Sequence, residues 1–299
     1  MVTAHFHIMM VINILVNGYR AVWRGKAHTN IKTETSSRDR GNKINDTVLY
    51  LSQRSIFSFL YHKPQNIGIG NVSYVGDDGS TVVERYEGMW CEGKMSGKGK
   101  YTFADNSTYE GDWVDSQMHG KGVYVFANGN KYDGEFKNDM KHGLGELLYV
   151  NGERYVGEWE RDCAEGKGRL EFASGDVFEG QFREGMKDGE GILSYKNGDR
   201  YEGMWAEDRA SGEGILFYHN GNVYKGAWVD DKRHGYGILE VFSDKSRYEG
   251  QWSRNQRHGE GRIVDPTGNI LHATFHEGTL LKVISYRFSD TSPWNSPYF

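Results

Sequence analysis

The residues best suited to chemistry in this chain are histidines and glycines that recur at fixed intervals. Imidazole is a common zinc ligand, and four histidines share one position of a repeat: His119, His142, His234 and His258. Each of these positions is followed by a Gly-x-Gly pair, which is also an element of nucleotide-binding loops. The sequence therefore raises two hypotheses, a metal site and a phosphate-binding loop.

Neither hypothesis fits the spacing. Equivalent atoms of successive two-stranded units lie roughly 10 Å apart, whereas zinc holds each ligand nitrogen at about 2.0–2.1 Å. Other polar residues take the histidine position in the remaining copies: Ser96, Glu165, Asp188 and Ser211. No Gly-x-Gly pair continues as a dinucleotide fingerprint or as Gly-Lys-Ser/Thr. We therefore expect no metal, no cofactor, no catalytic residue and no enzymatic activity.

The two cysteines, Cys91 and Cys163, fall at different repeat positions, too far apart for a disulfide bond. Unpaired thiols favour a reducing compartment. We therefore expect a cytoplasmic protein.

These positions belong to a repeat that organises the whole chain. Copies of Tyr-x-Gly-x-Trp begin 23 residues apart six times and then 24 residues apart, and a ninth, degenerate copy spans 271–275. A fixed period of this length indicates a repeat architecture. The structural repeat positions are Tyr86, Gly88, Trp90, Tyr109, Gly111, Trp113, Tyr132, Gly134, Tyr155, Gly157, Phe178, Gly180, Tyr201, Gly203, Tyr224, Gly226, Trp228, Tyr248, Gly250 and Trp252.

Each copy is predicted to form two short strands. In 131–137, rings and glycine alternate with charged residues, which is the period of a half-buried strand. In the second strand, Gly143, Gly145 and Leu147 are expected on one face by the same period of two. Glycines on this face make sense if flat rings lie across them. The core is thus predicted to be a single layer of rings over bare backbone.

Asn-Gly pairs mark the loops between copies. Parity predicts a three-residue loop over 127–129, with Gly129 in the left-handed conformation and Tyr124 opposite Tyr132. Asn106 is expected to replace this glycine in one loop. The 24-residue step predicts a four-residue loop at 243–246.

Tyr-Glu-Gly-x-Trp followed by His-Gly-x-Gly-x-Tyr-x-Phe and Asn-Gly resembles the MORN repeat (membrane occupation and recognition nexus), and the resemblance covers 86–262. It implies an all-β fold, an elongated single-layer twisted antiparallel sheet of stacked β-hairpin repeats, with short capping segments at both ends. MORN arrays occur in cytoskeletal scaffolds, flagellar proteins and junctional membrane tethers, and beside lipid-kinase or methyltransferase domains. The resemblance implies no chemistry by itself.

The repeat divides the chain into four parts. We expect an N-terminal extension at 1–66, partly disordered with a linker at 29–46, and a capping half-repeat at 67–85. The MORN repeat array follows at 86–277, with eight repeats and one degenerate copy. The last part, 278–299, is expected to be a C-terminal cap and tail, with a strand or helix at 280–288.

Within the extension, the apolar run at 8–16 is too short to span a membrane and lacks the features of a signal peptide. It is expected to be a packed strand, a frayed end or the product of an incorrect start codon. The segment 47–62 is expected to be a short helix or strand.

Charge bears on the choice of partner. Residues 84–262 hold 25 Lys/Arg and 33 Asp/Glu, a net charge of −8, whereas residues 1–83 hold 9 and 5, a net charge of +4. An acidic array is a poor ligand for anionic lipid or nucleic acid, because basic clusters supply that attraction. We therefore expect no nucleic acid, and membrane lipid is disfavoured.

The first functional hypothesis is a non-catalytic protein-interaction scaffold, cytoskeletal or flagellar, that uses the exposed aromatic face of the sheet. The candidate partner-binding residues are Phe136, Trp159, Phe182 and Trp205. A homodimer through the sheet ends is a further expectation. The alternative function is a membrane-proximal tether, or an accessory module associated with phosphoinositide lipids or a phosphatidylinositol phosphate kinase.

Overall fold

The computed structural model describes residues 9–16, 19–26, 33–35, 67–75, 82–290 and 292, with side chains from residue 84 onward. Within these residues all regular secondary structure is β-strand, as the sequence predicted. The predicted linker at 29–46, apart from a short strand at 33–35, lies outside the described residues. So do the predicted element at 47–62 and nearly all of the tail after residue 290.

The chain divides into two compact units, Met1–Val150 with Glu160–Asp162, and Asn151–Trp159 with Cys163–Phe299. The strands up to Val150 are β1 (Met9–Val16), β2 (Tyr19–Lys26), β3 (Thr33–Thr35), β4 (Ile67–Val75), β5 (Val82–Cys91), β6 (Lys94–Thr102), β7 (Thr108–Val114), β8 (Gln117–Val125), β9 (Lys131–Lys137) and β10 (Met140–Leu148). From β4 to β10, each strand pairs antiparallel with the next.

The later strands are β11 (Arg154–Glu160), β12 (Cys163–Glu171), β13 (Val177–Arg183), β14 (Met186–Ser194), β15 (Arg200–Ala206), β16 (Arg209–Phe217), β17 (Val223–Val229), β18 (Lys232–Glu240), β19 (Arg247–Ser253), β20 (Gln256–Val264), β21 (Ile270–His276) and β22 (Thr279–Arg287). From β12 to β22 every strand again pairs antiparallel with its successor. The segment predicted as strand or helix at 280–288 is thus the strand β22.

The N-terminal end of the sheet differs from the prediction. β4 has the register of a second repeat strand, with Gly70 opposite Gly88. However, β4 does not cap the first edge, because β1 pairs along its other side, with Ile12 opposite Val72. β1 also pairs with β2, and β2 pairs with β3. Of the three alternatives for the apolar run, the structure has the paired strand.

The loops between copies confirm the parity argument. The N–H of Phe126 donates to the carbonyl of Asn130 at 2.9 Å, and Gly129 has φ of +89°. Tyr124 lies opposite Tyr132. Asn106 adopts φ of +68° in the loop that lacks glycine. The 24-residue step does give a four-residue loop, but the loop lies at 242–245, one residue before the predicted 243–246, because it is closed by a 2.8 Å hydrogen bond from the N–H of Val241 to the carbonyl of Ser246.

The second strand of each hairpin contains a β-bulge that the sequence analysis missed. In β10, His142 lies opposite Glu135 and Gly145 lies opposite Gly134, so the register shifts between them. The prediction that Gly143 shares a face with Gly145 is therefore wrong. Gly143 has φ of +60°, and a Cβ atom there would meet the Glu135 side chain. The first glycine of each pair is thus needed for a positive φ, which glycine adopts without strain.

The second glycine does lie under a ring. A Cβ atom added to Gly145 would lie 2.2 Å from the Tyr132 hydroxyl oxygen, and one added to Gly134 would lie 2.6 Å from the same atom. The covering ring is the tyrosine of the same hairpin. Its hydroxyl donates to the carbonyl of Glu135 at 3.0 Å, so the buried polar group is satisfied.

The tight turns inside the hairpins tie neighbouring copies together. Asn138 and Asp139 both have positive φ, of 51° and 68°, as a two-residue type I′ turn requires. The Asp139 carboxylate accepts the N–H of Met118, 21 residues earlier, at 2.8 Å. Similar bonds are made by Ser116, Asp162, Asp208, Asp231 and Asn255. Each of these hydrogen bonds fixes the beginning of the second strand in the preceding hairpin.

Candidate functional site

The four candidate partner-binding rings are buried. Their exposed fractions are 5% for Phe136, 6% for Trp159, 4% for Phe182 and 4% for Trp205. The premise that these rings form an exposed surface is therefore wrong. A partner could reach them only after neighbouring side chains moved, and their role in binding stays a prediction.

The rings are buried because they pack edge to face against each other. Trp205 makes T-shaped contacts with Tyr201 at 5.2 Å and with Phe178 of the preceding copy at 5.2 Å. In the first unit, Phe136 contacts Tyr132 and Tyr109 in the same way, at 5.1 and 4.9 Å. Each such pair contributes roughly 0.5–1.5 kcal/mol beyond its buried area. The rings on this side of the sheet, here called the aromatic face, thus shield one another from solvent.

A second row of rings on the aromatic face is more accessible. These residues end the second strands or follow them, and the sequence analysis did not single them out. In the first unit Tyr101, Phe103, Tyr124 and Phe126 are half-buried and contact one another at 4.6–5.6 Å. In the second unit the corresponding residues after the strands are Phe172, Tyr195 and Tyr218, and Tyr195 is 38% exposed. Accessible aromatic surface is therefore found beside the buried rows.

Three cations lie over the buried rings of the aromatic face in the second unit. Lys187 Nζ is 4.4 Å from the centroid of the Trp205 ring, and the Arg233 guanidinium is 4.3 Å from that of Trp252. The Arg257 guanidinium is 4.8 Å from the Tyr248 ring. These distances are typical of cation–π contacts. We call Lys187, Arg233 and Arg257 the ring-face cations.

The ring-face cations lack carboxylate partners within ion-pair distance among the described residues. Burial lowers the pKa of Lys187, although Asp208 and Asp231 act in the opposite direction. Burial also lowers the pKa of Arg257, and the charge of Arg233 adds to this effect. All three side chains are half-buried and have no contacting anion, although the Arg233 guanidinium donates to the carbonyl oxygen of Asn255 at 2.9 Å.

The opposite face of the sheet is different, because its charges are paired. Lys98 and Asp112 form an ion pair at 2.8 Å in the first unit. In the second, the buried carboxylate of Glu249 lies between Arg247 and Arg262, at 2.6 and 2.5 Å. The net negative charge of the array therefore does not describe the aromatic face.

The features that suggested chemistry are not assembled into a metal site. No group of three or more potential ligands lies together among the described residues. His258 contacts the ring of His276, with centroids 5.3 Å apart. A depression of about 240 Å³ in the first unit is smaller than typical ligand pockets of roughly 300–1,000 Å³. Its lining is Lys137, Asn138, Met140, His142, Glu160 and Arg161.

Two further findings concern the cysteines and membrane-spanning segments. Cys91 and Cys163 are free and exposed. Among the described residues there is no helix long and apolar enough to span a membrane.

Sequence comparison gives a family match over most of the array. Eight consecutive segments match the family model of the MORN repeat, at 86–108, 109–131, 132–154, 155–177, 178–200, 201–223, 224–240 and 248–270. No curated protein matches the chain significantly. The ninth hairpin, β21 and β22, lies largely outside the matched segments, because its glycines and its tyrosine are replaced.

The matches among solved structures are distant. The TCP10 domain of Danio rerio CPAP, in complex with a STIL peptide, is 11% identical, with a TM-score of 0.40. The match covers 74% of this chain and 95% of that one. The Drosophila melanogaster SAS-4 TCP domain, in complex with a proline-rich motif of Ana2, is 17% identical, with a TM-score of 0.35. That match covers 60% of this chain and 90% of the other.

Proposed function

Because the chain belongs to the MORN repeat family, we propose that it is a non-catalytic scaffold that binds an acidic segment of a partner protein along its aromatic face. The observation that carries this proposal is the set of ring-face cations, which are half-buried and have no contacting carboxylate. A carboxylate delivered by a partner would neutralise them. Charge-assisted hydrogen bonds of this kind are roughly twice as strong as neutral ones.

The spacing of the cations defines the segment that fits. Lys187 and Arg233 occupy equivalent positions two hairpins apart, which is roughly 19 Å at 4.8 Å per strand. Arg233 and Arg257 are one hairpin apart, roughly 10 Å. An extended chain advances about 3.3 Å per residue. The partner segment therefore carries acidic residues about six and three positions apart and runs across the strands.

The neighbouring rings would contribute apolar contact. Tyr195 and Tyr218 flank the row of cations, and tyrosine gives contact area at low entropic cost. Trp205 supports this surface from below, since Lys187 lies over its ring, and Phe182 lies opposite Lys187 on the neighbouring strand. Of the four rings predicted to bind a partner, these two are thus proposed to act by positioning Lys187.

We place the protein in the cytoplasm, on a cytoskeletal or flagellar structure. The two free, exposed thiols suit a reducing compartment. An array of interior strands with both edges paired offers side chains rather than free backbone, which suits a static scaffold. Imaging of a tagged protein tests the location, and a secretory or membrane distribution would refute it.

The binding proposal can be tested with a labelled synthetic peptide that carries glutamates spaced by six and three residues among alanine and tyrosine. We expect Lys187→Gln and Arg233→Gln each to weaken binding by about tenfold or more, since a hydrogen bond to a charged group contributes roughly 1.5–3 kcal/mol. Lys225→Gln is the matched control, because Lys225 is exposed and lies on β17 among the same hairpins. Urea midpoints would first establish that all variants are folded.

Two results would refute the proposal. One is equal affinity of the wild type and the two ring-face variants. The other is equal affinity for a peptide whose glutamates have been respaced, since that would indicate only non-specific attraction.

A further inference from the structure

The last strand, β22, is unlike every other second strand in the array. It is exposed along its whole length. Five of its nine residues are large and apolar, with exposed fractions between 42% and 72%. Within the described part of the chain, β22 pairs with β21 alone. Contiguous apolar surface on an unpaired strand marks an interaction site.

The sequence of β22 also excludes a tenth repeat as its neighbour. In the interior pair β9–β10, Gly134 lies opposite Gly145 under a tyrosine ring. In the last hairpin the opposed residues are Ala273 and Val283, and Leu271 takes the place of the tyrosine. Because β22 has no glycines, its side chains would occupy the space that the tryptophan of a further repeat needs. An ordinary apolar strand meets no such obstacle.

We propose that β22 pairs antiparallel with β22 of a second copy of this chain, about a two-fold axis through Val283. This register places Leu280 of each copy opposite Tyr286 of the other, and the two Val283 residues opposite each other. Lys282 falls opposite Ile284, so no like charges are directly opposed. The strand is therefore self-complementary, as a two-fold interface requires.

The symmetry also preserves the two faces of the sheet. Leu280, Val283 and Tyr286 lie opposite Phe275, Ala273 and Leu271 of β21. Phe275 and Ala273 are buried on the aromatic face. A two-fold axis perpendicular to the sheet keeps this face on the same side in both copies. The apolar side chains of the two edges then cover each other and continue the core.

The proposed pairing gives a closed dimer. Each copy has one β22, and the interface uses it in both, so association stops at the dimer rather than forming a fibre. The two register shifts of β22, between His272 and Ala273 and between Thr274 and Phe275, mark bulges. Bulges and a central lysine restrict which strands an edge accepts, which favours one defined register over general aggregation.

Sedimentation equilibrium of the full chain tests the proposal. We expect a dimer of twice 34.1 kDa that dissociates on dilution. Val283→Asp would place two carboxylates opposite each other on the axis and should give a monomer at every concentration tested. Val229→Asp is the matched control, because Val229 has an exposed fraction of 48% against 49% for Val283. Its strand, β17, is paired on both sides.

Disulfide trapping tests the register independently, in a background with serine at Cys91 and Cys163. Directly opposite residues in an antiparallel pair have Cα atoms about 4.5–5.5 Å apart, which a disulfide bond can bridge. Val283→Cys should therefore cross-link the dimer on oxidation. Leu280→Cys should not, because the two Leu280 positions are six residues apart along the ladder, about 20 Å.

Several outcomes would overturn the proposal. A monomer at all concentrations would refute the dimer. Slow amide hydrogen exchange of β22 in that monomer would indicate that other segments of the same chain cover this strand. A dimer that survives Val283→Asp would place the interface elsewhere. Cross-linking through Leu280→Cys but not Val283→Cys would reject the register. Loss of the dimer would leave the ring-face peptide binding unaffected, so the two proposals fail separately.

Discussion

The packing of Tyr132 over Gly145 gives the sharpest test of what holds a hairpin together. A Cβ atom at Gly145 would lie 2.2 Å from the tyrosine oxygen and 2.5 Å from its Cζ atom. Ordinary contact begins near 3.4 Å, so Gly145→Ala must displace the ring by about 1.2 Å. The ring has no free space, because it is fully buried and packs against Phe136 at 5.1 Å.

The expected cost follows from these contacts. Overpacking costs about 1–3 kcal/mol, and disruption of the hydrogen bond to the Glu135 carbonyl costs about 1 kcal/mol. Alanine has less conformational freedom than glycine in the unfolded chain, and this difference stabilises the folded state by about 0.4–1 kcal/mol. Gly145→Ala should therefore lower the free energy of unfolding by about 2 kcal/mol.

The same substitution should be harmless once the ring is removed. The last hairpin supports this expectation, since Leu271 there accompanies Ala273 at the first-strand glycine position, with Val283 opposite it. In a Tyr132→Leu background, Gly145→Ala should be neutral or stabilise by about 0.4–1 kcal/mol. The coupling energy between the two positions would then be about 2–3 kcal/mol.

Urea unfolding of the wild type, both single variants and the double variant measures this coupling. Fluorescence and circular dichroism should be followed together, because repeat proteins can unfold in stages. Gly152→Ala is the control, since no atom lies within 4 Å of a Cβ there, and its cost should not depend on Tyr132. Additive effects of Gly145→Ala and Tyr132→Leu, to within about 0.5 kcal/mol, would refute the reasoning.

Two further predictions concern charge. Burial raises the pKa of Tyr86 and Tyr248 to about 12, so the unfolded state, with an ordinary tyrosine pKa near 10, loses these protons first. The contribution of these two tyrosines to stability should be constant below about pH 10 and fall as the pH rises towards 12. A free energy of unfolding that does not decrease between pH 10 and 12 would contradict this. The full chain, with a net charge of −5, should not sediment with anionic liposomes at physiological salt, since its 41 Asp and Glu outnumber its 36 Lys and Arg and such binding depends on clustered basic residues. Salt-sensitive sedimentation would instead favour the membrane-tether alternative.

Much of the fold could be predicted from the sequence because hairpin geometry is local. The 23-residue period, the parity of each strand and the Asn-Gly loops determine which residues lie opposite each other. Tyr124 was expected opposite Tyr132, and this pairing is confirmed. The three-residue loops and the one four-residue loop follow from the same counting.

The candidate site could be predicted only in part. Counting residues identified the rings but not their burial. Exposure of Trp205 depends on rings from two different copies, and their packing is a tertiary property. The ring-face cations were missed for a related reason. Lys187 lies opposite Phe182, and strict alternation from Gly191 already assigns it to the aromatic face. Counting residues does not show that its side chain lies over the Trp205 ring of the next copy.

What the sequence determined by itself is the repeat: its period, its turns, its strand register and its family. The tertiary structure decided which face each side chain occupies and which strands end the sheet. The bulge at Gly143 adds two residues to β10, between His142 opposite Glu135 and Gly145 opposite Gly134, so strand phase is the same on both sides and parity alone did not detect it. The pairing of β1 with β4 links segments more than fifty residues apart, across a sequence that lacks the repeat. Long-range pairing of this kind depends on which edges remain free once the local hairpins have formed.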